Sequence, residues 1–172
     1  IKINNNAIFG TIIRDITART LAEEALVLEK NKVTGAVENM AVGFVLCDGQ
    51  GGDISMNATA LRLHNFASKE EMHRRLDEYA DEWELRYPDG RSMPVGEWPM
   101  GRAIRGDFVS NFETHLRNVR SDSRWIGSYT ASPVLNRAGE VTLIVMTILD
   151  ITERKQAEEK LRQYSEHLEE MV

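Results

Sequence analysis

The chain has 172 residues, of which 42% are hydrophobic, and its formal net charge is −6. This length allows one core of about a hundred residues with two further helices, and the interspersed charges leave no basic stripe for nucleic acid. No apolar window is long enough to span a membrane, and the single cysteine, Cys47, excludes an internal disulfide and a cysteine-cluster metal site. We therefore expect a cytoplasmic segment that contacts neither nucleic acid nor membrane.

A three-residue motif occurs twice, as Asp15–Thr17 and as Asp150–Thr152, and similar residues follow both copies. A repeat spaced by about one small domain indicates tandem modules. The sequence therefore predicts four parts: residues 1–17, the last strand and motif of a preceding module; 18–36, a connecting helix; 37–152, one complete domain; and 153–172, a coiled-coil linker helix.

In the first half of the complete domain, turn residues separate short apolar runs. The expected elements are a strand at 43–47, a glycine-rich turn at 48–53, a strand at 54–56, a helix at 58–65 capped by Asn57, a helix begun by a capping box at 68–71, a small hairpin at 83–95 and a helix at 99–105. A strand, not a helix, follows the glycine-rich turn, so a hairpin is favoured over a phosphate-binding loop.

Three strands make up the second half. The residues expected to share one face are Phe108, Phe112 and Leu116 in the first of them and Trp125, Gly127, Tyr129 and Ala131 in the second. Residues 141–149 are apolar on both faces, which predicts a central strand. Two strands, several short helices and three strands indicate an antiparallel sheet with helices on one face, the α+β class.

The last strand continues into a charged helix without a loop, which makes the two a single mechanical element. The Thr152 hydroxyl is expected to cap this helix, and Asp150, one turn before Arg154, adds favourable charge near its start. The helix carries a heptad seam of Ala157, Leu161, Tyr164, Leu168 and Met171. Because a helix of this length is marginal alone, we expect it to pair in a homodimer; the alternative is an amphipathic helix folded onto its own domain.

The order of several short motifs resembles that of a PAS domain, the sensory module found in tandem in bacterial and archaeal signalling proteins such as sensor kinases. The matching segments are Glu38-Asn39-Met40, the glycine-rich turn, Asn57-Ala58, Tyr87 to Arg91, Glu97-Trp98-Pro99, Arg102-Ala103, Ser132-Pro133-Val134 and the closing motif Asp150 to Lys155. The resemblance covers about Val37 to Lys155, and Asp15–Thr17 would close a preceding PAS module.

This resemblance implies a five-stranded antiparallel sheet flanked by signalling helices, with a ligand pocket between its concave face and the short helices. The pocket residues it implies are Phe44, Met56, Leu63, Trp98, Ile104, Trp125, Tyr129, Ala131, Ile144, Met146 and Ile148. The signal would pass through the last strand and the relay residues Asp150, Thr152 and Arg154 into the dimeric helix, and from there to a downstream effector.

The cofactor chemistry of some PAS relatives does not fit this sequence. Flavin photoadducts need a cysteine in a helical Asn-Cys-Arg-Phe-Leu pattern, whereas Cys47 lies on a predicted strand. Haem-binding members use a histidine on the helix that corresponds to residues 99–105, which contains none. No nucleophile, general base and orienting group cluster along the chain, so we expect no enzymatic activity, and the identity of any ligand stays open.

Two functions are compatible with these residues. The leading hypothesis is a sensory module that responds to a small molecule or a partner and relays the signal to its last helix. The alternative is a ligand-free dimerisation scaffold that sets helix register between other domains. In the scaffold, Trp98, Trp125, Tyr129 and Met146 would fill the pocket and make it a core.

Overall fold

The structure, a computed structural model, describes residues 2–3, 6–7, 17–72 and 75–170. The chain divides into two units, Ile1–Ala36 and Val37–Val172. The elements at its N-terminal end are the strands Lys2–Ile3 and Asn6–Ala7, which pair antiparallel, and helix α1, Thr17–Glu38. Asp15 and Ile16 of the first motif copy lie outside the described residues, as does Met171 of the predicted seam.

The second unit combines a strongly twisted antiparallel sheet with short helices and one long C-terminal helix. Its strands are β1 (Gly43–Asp48), β2 (Ser55–Met56), β3 (Trp83–Arg86), β4 (Val109–Asn118), β5 (Arg124–Leu135) and β6 (Val141–Asp150). Its helices are α2 (Ala58–Leu63), α3 (Leu76–Tyr79), α4 (Pro99–Ile104) and α5 (Thr152–Glu170), with a 3₁₀ turn at Val95–Glu97. The strand order is β2-β1-β6-β5-β4-β3, which confirms the predicted α+β class.

The apolar strand β6 lies in the centre of the sheet, paired with β1 on one side and β5 on the other. Alternate residues of these three strands face a common core, and the short helices cover that face. The inward residues include Val45, Cys47, Tyr129, Ala131, Ile144, Met146 and Ile148. The core therefore lies between the concave face of the sheet and the helices, as the sequence predicts.

The sheet within the described residues has six strands, so the expected count of five is wrong. Strand β3 pairs with β4 at the edge of the sheet, with Trp83 and Leu85 buried. The expected hairpin partner of β3 makes only one bridge, between Arg86 and Ser92. Trp83 and Leu85 alternate with polar residues, and this pattern gains more buried area on the main sheet than in an isolated hairpin.

The expectation that Phe108 shares a face with Phe112 and Leu116 is also wrong, because its side chain is 63% exposed whereas Leu116 is buried. The register of β4 shifts between Val109 and Phe112, and Asn111 there has a φ of +47°. This bulge inserts an extra residue and resets the alternation, so Val109, at 2% exposure, faces the core instead.

The helix expected from the capping box at 68–71 does not form there. The Ala67 N–H donates to the Glu71 carboxylate at 3.1 Å, but residues 68–72 form turns and bends. The helical turn begins later, at α3, where Leu76 packs against the core. In contrast, the Asn57 side chain accepts the Ala60 N–H at 2.9 Å and caps α2 as predicted.

Candidate functional site

A cavity of about 50 Å³ lies between the concave face of the sheet and the short helices. Its walls are apolar, and they combine aromatic rings with flexible methionines. The residues that define its character are Met56, His64, Tyr79, Trp83, Trp98, Met100, Tyr129 and Met146. Ligand pockets for drug-sized molecules measure about 300 to 1,000 Å³, so this cavity is a small one.

The predicted pocket residues divide into those that line this cavity and those that do not. Met56, Trp98, Tyr129 and Met146 line it. Ala131, Ile144 and Ile148 are buried on the same face, where they form packed core, and Leu63, Ile104 and Trp125 are partly buried against that core. Trp125 stacks on Tyr129 with 6.4 Å between ring centroids.

The assignment of Phe44 to the pocket is wrong. In the register of β1 and β6, Val45 lies opposite Met146, so Val45 shares its face and lines the cavity. Phe44, one residue earlier, lies opposite Thr147 on the other face of the sheet. A strand has a side-chain period of two, so an error of one residue moves the side chain to the opposite face.

His64 lines the cavity but is not among the pocket residues predicted from the sequence. It is buried, and its Nδ1–H donates to the Ala60 carbonyl at 2.9 Å, which leaves Nε2 as the acceptor nitrogen. The rings of Trp83, Tyr79 and Trp125 surround it at centroid distances of 5.6, 6.0 and 6.2 Å. Burial lowers the pKa of His64, so the imidazole is neutral near pH 7.

Three buried polar atoms on this side of the core have no hydrogen-bond partner among the described residues. They are Trp83 Nε1, Trp125 Nε1 and Thr114 Oγ1. The third tryptophan differs, because Trp98 Nε1 donates to the Met93 carbonyl at 3.0 Å. An unmet buried donor typically costs about 1 to 3 kcal/mol, so the unpaired groups mark a place where an acceptor would stabilise the fold.

Residues 150–152, called the joint below, connect β6 to α5 and are bonded to β5. The Ile151 N–H donates to the Ile126 carbonyl at 2.9 Å, and the Ile126 N–H donates to Thr152 Oγ1 at 2.9 Å. The Thr152 N–H and hydroxyl both donate to Asp150 Oδ1, at 2.8 and 2.5 Å. The Asp150 carboxylate therefore accepts the first N–H of the helix, and the expectation that the Thr152 hydroxyl caps it is wrong.

The first turn of α5 is also held to β4 by charge. The Glu113 carboxylate pairs with Lys155 at 2.7 Å and with Arg154 at 3.4 Å. Arg154, which was predicted as a relay residue, therefore contacts β4 and not Asp150 in the ion pairs described. Farther along α5, Leu161, Tyr164 and Leu168 are 69%, 69% and 60% exposed and form an apolar stripe.

Cys47 is buried in β1, and its Sγ–H donates to the Gly52 carbonyl at 3.5 Å. Burial raises the pKa of this thiol to about 11, which keeps it protonated and unreactive at neutral pH. Across the described ranges, no three of the His, Cys, Asp and Glu side chains are grouped as a metal site would need. The helices described there are also too short or too polar to cross a bilayer.

Similar folds occur in signalling proteins. An RNA-binding Light-Oxygen-Voltage receptor has a TM-score of 0.55 at 22% identity over 85% of this chain, which spans 39% of the receptor's length. The PAS domain of an HTR-like protein from Haloarcula marismortui gives 0.54 at 16% identity, covering 77% of this chain and 100% of that one. A sensory box histidine kinase/response regulator from Burkholderia thailandensis E264 gives 0.55 at 20% identity, covering 81% and 98%.

These identities are low, so the similarities establish the fold alone. No curated protein is significantly similar to the chain in sequence. Residues 37–156, more than half of the chain, match the family described as the PAS fold. The chain therefore belongs to the PAS-fold family.

Proposed function

We propose that this PAS domain is a sensory module in which occupancy of the cavity alters the joint and, through it, the position of α5. The domain would respond to a small molecule and relay the response to an effector beyond α5. Coupling between two such sites is typically worth about 1 to 3 kcal/mol, enough to change an output several-fold. The ligand must bind the two states of the joint unequally, because equal binding shifts nothing.

The peptide unit between Trp125 and Ile126 supports this proposal more than any other feature. Trp125 stacks on Tyr129, which lines the cavity, and the next residue, Ile126, makes two backbone hydrogen bonds to the joint. A shift of the Trp125 ring therefore acts on the backbone that holds Ile151 and Thr152. Trp125, which stacks on a cavity residue, and Ile126, which is bonded to the joint, are adjacent in the chain, so no long pathway is required.

The scaffold alternative is favoured by the small size of the cavity. Trp98, Tyr129 and Met146 occupy much of the space that a large cofactor would need, and the remaining volume is about 50 Å³. In that function the aromatic cluster, formed by His64, Tyr79, Trp83, Trp125 and Tyr129, would serve as a rigid core. The domain would then only fix the register of two α5 helices. The two functions therefore differ in whether the cavity admits a ligand.

The remaining parts of the proposal concern partners. The seam of α5 would pair with a second copy in a homodimer, and Asp15–Thr17 would close a preceding PAS module joined through α1. The exposed stripe of Leu161, Tyr164 and Leu168 supports the first point, because an isolated helix gains little from such a stripe in water. A cytoplasmic position in a multidomain signalling protein fits this arrangement.

Two measurements test the proposal. Native mass spectrometry of the purified chain should detect a retained small molecule; a ligand-free mass with a strong dimer would favour the scaffold. In the full-length parent, Asp150→Ala should abolish the response to its stimulus while the domain stays folded. Glu153→Ala, one residue past the joint on the exposed side, is the control that should respond normally. A normal response from Asp150→Ala would contradict the relay.

A further inference from the structure

We propose that the cavity recognises a small uncharged aromatic molecule that carries a hydroxyl or carbonyl oxygen, and that the Trp83 indole N–H donates to that oxygen. This inference rests on the proposed sensory function and names the chemical class of its ligand.

The shape and chemistry of the walls favour an aromatic ring. Rings on three sides already meet His64 edge to face, with interplanar angles of 82°, 73° and 90° to Tyr79, Trp83 and Trp125. Such arrangements are favourable for aromatic pairs at centroid distances of about 4.5 to 7 Å. The sulfur atoms of the lining methionines add polarisable contacts that also suit an aromatic guest.

The charges around the cavity favour an uncharged ligand. Of the described residues that line it, none is Asp, Glu, Lys or Arg, and His64 is neutral because burial lowers its pKa. A carboxylate or ammonium group placed there would lose its hydration without gaining a counter-ion, which is strongly unfavourable. The oxygen of an uncharged molecule loses much less hydration free energy there.

The unpaired polar groups call for an oxygen on that ligand. Trp83 is 2% exposed and lines the cavity, and its Nε1–H has no acceptor among the described residues. His64, whose ring lies 5.6 Å from that of Trp83, also lines the cavity. A hydroxyl or carbonyl oxygen can accept from the indole N–H, whereas a purely apolar ring leaves the indole unpaired.

Because the cavity is small, an aromatic ligand can bind only to a state in which the lining side chains have moved to enlarge it. A benzene ring fits a cavity of about 150 Å³, three times the volume found here. Met56, Met100 and Met146 line the cavity, and methionine side chains rotate easily about three bonds, so they can make room. A ligand that needs these rotations binds the expanded state better than the resting one, which is the unequal binding that a sensor requires.

The test compares phenol with toluene, which has nearly the same shape but no oxygen. The protein is labelled with ¹⁵N at tryptophan, and each probe is titrated while the indole N–H signals are followed by NMR. Phenol should bind about three- to tenfold more tightly than toluene, the value of one hydrogen bond, and should move the Trp83 signal downfield. The Trp98 signal should show no such shift, because its N–H is already bonded to Met93.

Two aromatic substitutions form a pair. Trp83→Phe should remove the preference for phenol over toluene, and Tyr87→Phe, at a residue that is not among the described lining residues, should retain it. Equal binding of the two probes by the unmodified protein, or a preference that survives Trp83→Phe, would overturn the inference but leave sensing of another ligand intact. Binding of neither probe would overturn it as well. The Asp150→Ala response uses no probe, so its outcome separates failure of this inference from failure of the proposed function.

Discussion

Thr114 and Thr59 are both buried threonines, but only one of them has hydrogen-bond partners. The Thr59 hydroxyl donates to the Met40 carbonyl at 2.7 Å and accepts from Arg62 at 2.8 Å, whereas the Thr114 hydroxyl has no partner in the described structure. Thr114→Val should therefore raise the free energy of unfolding by about 1 kcal/mol, and Thr59→Val should lower it by about 1 to 2 kcal/mol. Urea denaturation measures both. A loss of stability in both variants would contradict the assignment of Thr114 as unpaired.

His64 gives the stability of the domain a specific pH dependence. Its pKa is lowered from 6.5 in the folded protein by burial, so below about pH 6.5 the unfolded chain binds more protons than the folded one. Stability from this group is therefore complete above that pH and is lost as the pH falls toward the lowered pKa, by at most about 1.4 kcal/mol per pH unit. His64→Gln should make the midpoint of urea denaturation less dependent on pH between about pH 7.5 and 5.5. This window lies above most carboxyl pKa values. An unchanged slope would contradict this.

At the scale of the element, Gly127 in β5 is needed where the strand crosses beneath the aromatic cluster. A Cβ at this position would lie 2.4 Å from Tyr129 Cε2, 3.0 Å from Trp125 Cζ3 and 3.1 Å from Leu116 Cδ1. Gly127→Ala should lower the free energy of unfolding by about 1 to 3 kcal/mol through overpacking. It should also weaken the near-ultraviolet circular dichroism of the tryptophans.

The control for that substitution is Ser128→Ala, one residue along on the other face, which should change stability by less than about 0.5 kcal/mol. Similar losses in both variants would show that the strand, and not the space above Gly127, determines the effect. An unchanged tryptophan signal in Gly127→Ala would contradict the packing described for Trp125 and Tyr129.

For the molecule as a whole, the exposed stripe on α5 predicts the oligomeric state. Leu161→Glu combined with Leu168→Glu should reduce the mass measured by light scattering from twice the chain mass of 19.5 kDa to the chain mass itself. Buried glutamates facing each other across a heptad seam repel and lose hydration. Gln163→Glu, off the seam, should leave the mass unchanged. A monomer before any substitution would contradict the proposed homodimer.

Much of the fold can be predicted from sequence patterns that reflect which residues are buried. Residues 141–149 are apolar on both faces, and that pattern correctly predicts the central position of β6. Asn57 and Pro99 begin helices where their local chemistry predicts. These predictions are correct because each sequence pattern lies within one element and tertiary packing favours the same structure.

The cavity was harder to predict because its residues come from elements placed by packing. His64 and Trp83 meet across a helix end and an edge strand, and no local pattern in the sequence joins them. Phe44 and Phe108 were misplaced because a single-residue change of strand parity, or one bulge, reverses which face a side chain occupies. The geometry of the joint likewise depends on Ile126, which is far from Thr152 in the chain.

In the proposed relay the joint and the aromatic cluster move together, so by linkage a change at the joint must also alter the aromatic cluster. The most direct measurement is the ¹⁵N-indole NMR spectrum of Thr152→Val, which removes the bond from the Ile126 N–H, beside the control Glu153→Gln. We predict that the Trp125 and Trp83 signals shift in Thr152→Val while the Trp98 signal stays, and that all three stay in Glu153→Gln. Indole signals that do not respond to Thr152→Val would contradict the account.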